Sequence, residues 1–424
     1  MNTPRQGYSK YQTSVLFVFS FLTASTYVFV RALAVSLFLA RAGPDKLPMA
    51  FAISALVVIG TSFLTRLAIR VLATKWAAMA TWLTLATMTV LIGAVIGPMH
   101  HSLIALSVLY VFAELRGCLN TIYVVTFSNE AFIDTESKRP YAIVASGAPI
   151  AGILVGTVLG IEASVVLVVP AIILVAVLDG LTAIVAWLVP TDRDIDNSTT
   201  ATNRRDQLES EREHAKDSTG RRGQDRYRIQ LAALMSLKIT VLTLIGYQWK
   251  VSAANYYGSD EAQLLAYFAI FYAVSDVLIV LLQWVVAGKL MDRFGIGVGL
   301  IGFPIAIGLI GITAFFVNST LLFLVVFTLG KGLNVLRRAL HDPALTVAYN
   351  VVDPKIRPHT IVFVKGMVKP FAEAVSACLL LVIGGVVLEI WITVIWFLLT
   401  VPWLIFAFKV TSIYRTQRLN GKVS

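Results

Sequence analysis

The chain consists largely of apolar runs about 20 residues long, the length that carries a helix across the hydrocarbon core of a bilayer. Inside lipid, only helices and closed barrels satisfy all of their backbone hydrogen bonds. The runs lack the alternation of apolar and polar residues that barrel strands need. This feature alone predicts an all-α membrane protein whose helices cross the bilayer many times.

The composition agrees with a membrane protein and argues against a soluble one. Of the 424 residues, 57% are hydrophobic and 14% are charged, whereas about a quarter of the residues in a soluble domain are charged. The net charge of +11 comes largely from basic residues between the runs, which orient membrane helices, so we expect a lipid bilayer as partner and no nucleic acid. Cys118 and Cys378 lie inside apolar runs and indicate neither disulfides nor a metal site.

The runs form two sets of six, which predict twelve transmembrane helices. The first set lies at residues 14–40, 49–69, 77–97, 102–127, 141–162 and 168–190, and the second at 229–250, 262–287, 296–317, 320–345, 360–386 and 390–410. The charged segment 191–228 predicts a solvated linker between an N-terminal half (1–190) and a C-terminal half (229–424). Because Lys and Arg cluster in this linker and in alternate loops, we expect both termini to be cytoplasmic, in a bacterial inner membrane.

The two halves repeat each other. At an offset of 218 residues, Arg139-Pro140 aligns with Arg357-Pro358, and Arg31 falls one residue from Lys250. Two parallel six-helix repeats joined by a linker resemble the plan of major facilitator transporters, whose halves rock around a site at the middle of the bilayer.

A loop after the eighth predicted span carries a second resemblance to the major facilitators. The segment from Gly288 to Gly295 is similar to their cytoplasmic signature loop. Its glycines permit a tight exit from the helix, and Asp292 and Arg293 would latch neighbouring helix ends. We therefore assign both of these charged residues to gating.

Charges inside the predicted spans are the strongest indication of function, because a charge at the centre of a bilayer costs roughly 3 kcal/mol or more. Glu114 and Arg116 lie near the middle of the fourth span, about 200° apart around a helix, so only one of them can face a central cavity. We assign Glu114 to the cavity, as a group that gates, pairs with a cation or carries a proton. The alternative is a structural ion pair that locks two helices together.

Basic residues on other spans predict a cationic cavity for an anion. The charged residues are Arg31 on the first span, Lys331, Arg338 and Asp342 along one face of the tenth, and Lys365, Lys369 and Glu373 along one face of the eleventh. The candidates for substrate binding are Arg31, Glu114, Lys331, Arg338, Lys365 and Lys369. Snorkelling to the membrane surface is the alternative explanation for Lys250 and Arg338.

The segment around Glu114 resembles the ATP/ADP antiporter (nucleotide transporter) family of plastids and intracellular bacteria. The resemblance rests on Tyr110-Val-Phe-Ala-Glu114-Leu, Asn129-Glu130 and Lys138-Arg139 in the first half, and on Trp249-Lys250 and Asp342-Pro343 in the second. It implies that Glu114, Arg31 and Lys369 match functional charges of the family. Ala34 and Gly246 stand where the family has a lysine and an acidic residue, which argues against strict exchange of ATP for ADP.

Together, these observations lead us to expect a secondary transporter that moves an organic anion, with a nucleotide or a related phosphate compound as the leading candidate. The runner-up is a proton-coupled exporter of a metabolite or drug, in which Glu114, Asp276 or Glu373 carries the proton. A non-transporting membrane scaffold or sensor is the alternative of a different class. The sequence has no catalytic triad, Gly-rich phosphate loop or metal-ligand cluster, so we expect no enzyme activity, no cofactor and no metal. We also expect a monomer.

Overall fold

The structure of the protein is a computed structural model. It describes residues 10–96, 102–132, 139–162, 168–189, 218–282, 296–338, 340–353, 356, 360–361, 363–383 and 389–419. The principal helices of the first half are α1 (Lys10–Ala42), α2 (Leu47–Leu72), α3 (Thr74–Ile96), α4 (Leu103–Ala131), α5 (Arg139–Ile161) and α6 (Val168–Leu188). Those of the second half are α7 (Ser218–Tyr257), α8 (Glu261–Leu282), α9 (Gly297–Phe315), α10 (Thr320–Leu336), α11 (Lys369–Ile383) and α12 (Glu389–Leu419).

Ten helices in the described part of the chain are long and apolar enough to cross a membrane. The helices α10 and α11 are shorter, with 17 and 15 described helical residues. The structure therefore confirms an all-α membrane protein with many spans. The count of twelve stays a prediction where these two helices are concerned.

The helix α7 is longer than the seventh predicted span at both ends. It begins at Ser218, inside the predicted linker, and continues to Tyr257. Lys250 therefore lies seven residues before the end of the helix rather than at its end. The prediction that Lys250 snorkels to the membrane surface is wrong, because its side chain is only 2% exposed.

The tenth predicted span is interrupted. The helix α10 ends at Leu336, and a separate short helix, His341–Ala348, follows it. Proline at position 343 fits the first turn of a helix but would break the interior of a longer one. Asp342 thus does not share a helix face with Lys331, and its carboxylate instead lies 3.3 Å from Nζ of Lys238.

A π-helical turn, Val364–Val368, precedes α11. Because a π turn bonds residue i to i+5, it interrupts the spacing that an α-helix would impose. The prediction that Lys365, Lys369 and Glu373 lie on one continuous helical face is therefore wrong for Lys365. Lys369 and Glu373 remain one turn apart on α11.

The two halves pack in the same way. The helix α1 packs against α4, α5 and α6, and its counterpart α7 packs against α10, α11 and α12. Likewise α3 packs on α6, as α9 packs on α12. The halves meet through α5 with α8 and through α2 with α11, two contacts that interchange when each helix is replaced by its counterpart. This is the arrangement expected of two repeats related by a pseudo-two-fold axis.

Glycines on α5 allow it to approach α8 closely. A methyl group at Gly156 would lie 2.6 Å from the carbonyl oxygen of Ala269, and one at Gly160 would lie 2.5 Å from Cγ1 of Ile270. Either side chain would force the halves apart, so small residues are needed at this contact.

Candidate functional site

Four charged side chains meet between the two halves, and we call them the central charge cluster: Arg31 of α1, Glu114 of α4, Lys250 of α7 and Lys331 of α10. Nη2 of Arg31 lies 3.7 Å from Oε1 of Glu114, and Nζ of Lys250 lies 4.0 Å from the same oxygen. One carboxylate therefore connects a cation of the first half to a cation of the second.

Among the described residues, Lys331 is the cation of the cluster that has no carboxylate within ion-pair distance. Its ammonium lies 5.3 Å from the centroid of the Trp249 ring and interacts electrostatically with the other three members of the cluster. Gly246 lies beside it, since a methyl group at Gly246 would be 3.5 Å from Nζ of Lys331. Three cations surround one carboxylate, so the cluster carries a formal excess of two positive charges.

Aromatic rings enclose the cations of the cluster. Cζ of Arg31 lies 5.3 Å from the ring centroid of Tyr27 and 5.5 Å from that of Tyr272, and its Nη1 donates a hydrogen bond to the Tyr27 hydroxyl. Nζ of Lys250 lies 4.8 Å from the ring centroid of Tyr110 and donates to its hydroxyl. The faces of these rings attract cations and offset part of the cost of placing them in a membrane.

The cluster is partly open. The side chains of Arg31 and Glu114 are 18% and 27% exposed. Because the partners of Glu114 come from both halves, its exposed surface borders the space between the halves. A solute that enters this space meets the carboxylate and the surrounding cations.

The cluster follows the internal repeat of the sequence. Arg31 and Lys250 are 219 residues apart, and Glu114 and Lys331 are 217 residues apart, which is close to the offset of 218 between the halves. The counterpart helices α1 and α7 each supply a cation, whereas α4 supplies a carboxylate and α10 an ammonium. The second coincidence is the sequence signal that joins Lys331 and Lys250 to one site.

The other predicted binding residues do not join the cluster. Lys369 and Glu373 pair with each other, at 3.8 Å between Nζ and Oε1, so their charges balance. Arg338 follows the end of α10 and is exposed. The side chain of Lys365 and the whole of Asp292 and Arg293 lie outside the described residues, so their roles stay predictions.

Asp276 of α8 lies at the contact between the halves. Its carboxylate occupies the space beside Gly152 of α5, where a methyl group would collide with it. Within the described ranges it has no ion-pair partner, and Arg338 is the cation that acts on it electrostatically. Its role in coupling stays a prediction.

Arg116 belongs to a second charged centre, inside the first half. Its guanidinium donates to both carboxylate oxygens of Asp179 on α6, at 2.8 Å for Nη1 to Oδ1, and donates to Thr89 on α3. Both charged side chains are 0% exposed. This Arg116–Asp179 pair ties three helices together, so the alternative of a structural ion pair applies to Arg116, and Glu114 is the residue that faces the space between the halves.

Two members of these centres escaped the sequence-based assignment. Lys250 was attributed to the membrane surface because the predicted seventh span ended there. Asp179 lies within the apolar helix α6, and the one signal for it is that an acidic residue inside a span needs a partner.

An ion pair joins the halves at the end of the bundle away from the start of α1. Nη2 of Arg41, near the end of α1, donates to Oε2 of Glu261, the first residue of α8, at 2.8 Å. Beside it, Asp260 accepts the backbone N–H of Gln263 at 2.9 Å, and this hydrogen bond lowers the pKa of the exposed Asp260 carboxyl. In the predicted topology this is the external end.

Comparison with known proteins adds a family and a fold. A family model described as TLC ATP/ADP transporter matches residues 79–329, which is more than half of the chain. No curated protein matches the chain in sequence.

Solved structures of membrane transporters have the same arrangement of helices. A peptide transporter POT in complex with sulfate aligns with a TM-score of 0.68 and 15% identity, over 99% of this chain and 98% of that chain. The nucleoside transporter NupG aligns with a TM-score of 0.62 and 12% identity, over 95% and 99%. The xylose transporter XylE from E. coli aligns with a TM-score of 0.61 and 13% identity, over 94% and 95%. The chain thus has the major facilitator fold and belongs to the TLC ATP/ADP transporter family.

Proposed function

We propose that the protein is a secondary transporter, without enzyme activity, that moves an organic anion by alternating access. Its leading substrate is a nucleotide or a related phosphate compound. The observation that carries the proposal is the central charge cluster, where three cations surround one carboxylate. Membership of the TLC ATP/ADP transporter family supports a substrate that bears phosphate.

The charge balance of the cluster favours anions over other solutes. Excess positive charge within a bilayer is costly, and the cations repel one another. An anion relieves this repulsion and gains charge-assisted hydrogen bonds. The planar guanidinium of Arg31 can bind two oxygens of a phosphate or carboxylate, whereas Lys331 acts as a point charge.

The position of the cluster supports alternating access. Arg31 and Glu114 belong to the first half, and Lys250 and Lys331 to the second. A substrate that contacts both pairs stabilises the arrangement in which the halves are close together. Opening the far end of the bundle also requires the Arg41–Glu261 pair to separate.

Uptake into vesicles that contain the purified protein tests the proposal. The labelled solutes are ATP, ADP, glucose 6-phosphate and succinate, with glucose as the neutral control and protein-free vesicles as the blank. We expect saturable uptake of at least one phosphate compound and none of glucose. Transport of only neutral or cationic solutes would overturn the proposal.

Asp276 favours a second candidate function, proton-coupled export of a metabolite or drug. Its carboxylate lies between the halves and has no ion-pair partner among the described residues, so it is free to bind a proton as the halves move. An imposed pH gradient should then drive transport, and Asp276→Asn should abolish that drive. Asp45→Asn, at an exposed site, is the matched control. Equal transport with and without the gradient excludes this function.

The proposed topology places both termini in the cytoplasm of a bacterial cell. Tags at Ser424 and near Thr200 should then be accessible only from the cytoplasmic side. A tag at Gly258, the glycine with positive φ between α7 and α8, should be accessible from outside. An external tag near Thr200 contradicts this orientation.

A further inference from the structure

Two buried polar atoms beside the central charge cluster have no hydrogen-bond partner among the described residues. They are the hydroxyl oxygen of Tyr272 on α8 and Nε of Arg31 on α1. Most buried polar groups in proteins are hydrogen-bonded, because an unpaired donor loses its contact with water without compensation. Two such atoms in one place therefore call for a physical explanation.

The two atoms lie close together and belong to different halves. Cζ of Arg31 is 5.5 Å from the centroid of the Tyr272 ring. The rest of the Arg31 guanidinium is engaged, since Nη1 donates to the Tyr27 hydroxyl and Nη2 lies 3.7 Å from Glu114. The Nε–H of Arg31 and the hydroxyl of Tyr272 remain as a pair of donors across the boundary between the halves.

We propose that Tyr272 is a substrate-binding residue, whose hydroxyl and the Nε–H of Arg31 together donate to one oxyanion group of the substrate. This inference rests on the proposed function and names a further residue of the same site. A phosphoryl group and a carboxylate each offer enough acceptor oxygens for both donors. Because one donor comes from each half, this contact forms only while the halves hold Arg31 and Tyr272 together.

Tyr267, on the same helix, shows how a structural tyrosine differs. Its hydroxyl accepts a hydrogen bond from Nε1 of Trp249 at 2.6 Å and shares another with Oγ1 of Thr328 at 2.5 Å. Removing that hydroxyl would leave Trp249 without its acceptor. Removing the Tyr272 hydroxyl breaks no hydrogen bond to a described residue.

The test compares Tyr272→Phe with the matched control Tyr267→Phe in the full-length protein. Tyr272→Phe keeps the ring beside Arg31 and removes only the hydroxyl. The probes are ADP, glucose 6-phosphate and succinate, and the readouts are Kd, KM for vesicle uptake, and Tm without ligand. We expect Tyr272→Phe to weaken binding of the accepted probe about tenfold, the effect of a hydrogen bond to a charged group, with the KM raised and kcat little changed.

The stability readout separates binding from structure. Without ligand, Tyr272→Phe should melt at the wild-type temperature or above it, because an unpaired buried hydroxyl has been removed. Tyr267→Phe should melt at a lower temperature and keep its affinity for the probe. A response with the two phosphate compounds alone identifies a phosphoryl group, a response with succinate alone identifies a carboxylate, and either supports the inference.

Two results would overturn the inference while leaving the proposed function standing: wild-type affinity in Tyr272→Phe, or a lower Tm of ligand-free Tyr272→Phe. If none of the three probes binds the wild-type protein, both the inference and the phosphate or carboxylate substrate it depends on are refuted.

Discussion

The protein has two charged centres inside its membrane helices, and they are built differently. In the Arg116–Asp179 pair one cation faces one carboxylate, two hydrogen bonds join them, and both side chains are fully buried. In the central charge cluster three cations face one carboxylate at distances of 3.7 Å and more, and the side chain of Glu114 is 27% exposed.

The difference separates a structural role from a functional one. A balanced and dry pair has no capacity for another ion, and its value lies in holding α3, α4 and α6 together. An unbalanced and partly open cluster can accept an anion. A charge in a membrane helix is thus not itself a sign of transport, and the balance and exposure of its surroundings decide between the two roles.

The largest expected effect is on stability, from Arg116→Leu. Because Asp179 would be left as an unpaired buried charge, we expect a loss of about 3–5 kcal/mol in the free energy of unfolding. Thermal or denaturant unfolding of the purified protein measures it. The double variant Arg116→Leu/Asp179→Leu should recover most of the loss. A stable single variant that fails to transport would show that the pair is functional instead.

Glu114→Gln should affect transport and leave stability almost unchanged. It removes the one carboxylate of the cluster, and with it the attraction between Glu114 and Lys250 across the halves. We expect uptake to fall at least tenfold, and stability to change by less than about 1 kcal/mol because the pair is solvent-screened. Vesicle uptake and Tm should be measured on the same preparation. Wild-type uptake at every pH would rule out a gating or coupling role.

Lys331→Ala should weaken anion binding about tenfold or more, since it removes a charge-assisted contact. Little stability should be lost, because no ion pair with a described residue is broken. Kd from ligand-induced thermal shifts measures the effect. Lys46→Ala, at an exposed lysine paired with Asp45, is the control and should bind normally. A variant that loses only stability would make Lys331 structural.

A smaller effect of the same kind is expected from Gly246→Asp. A side chain at Gly246 points to the Lys331 ammonium, so a carboxylate there would pair with it and reduce the excess charge of the cluster. We expect a several-fold loss of anion affinity. Gly246→Asn has nearly the same shape without the charge and should bind as the wild type does. Equal losses in both variants would point to crowding rather than to charge.

The sequence predicted the fold well because long apolar runs leave few structures to choose from. It also predicted the meeting of Arg31 and Glu114, since a carboxylate at mid-span needs a cation. It failed for Lys250, whose assignment depended on where a helix ends. The break after Leu336 and the π turn before α11 depend on packing between distant helices, which local spacing does not reveal.

The near-symmetry of the central charge cluster gives it a direction. The first half contributes a cation and a carboxylate, which cancel, and the second half contributes two ammonium groups. The whole excess of positive charge therefore belongs to one of two otherwise equivalent halves. A substrate with one anionic end and one neutral end would experience this as an electric dipole, and would be carried with its anionic end always toward α7 and α10.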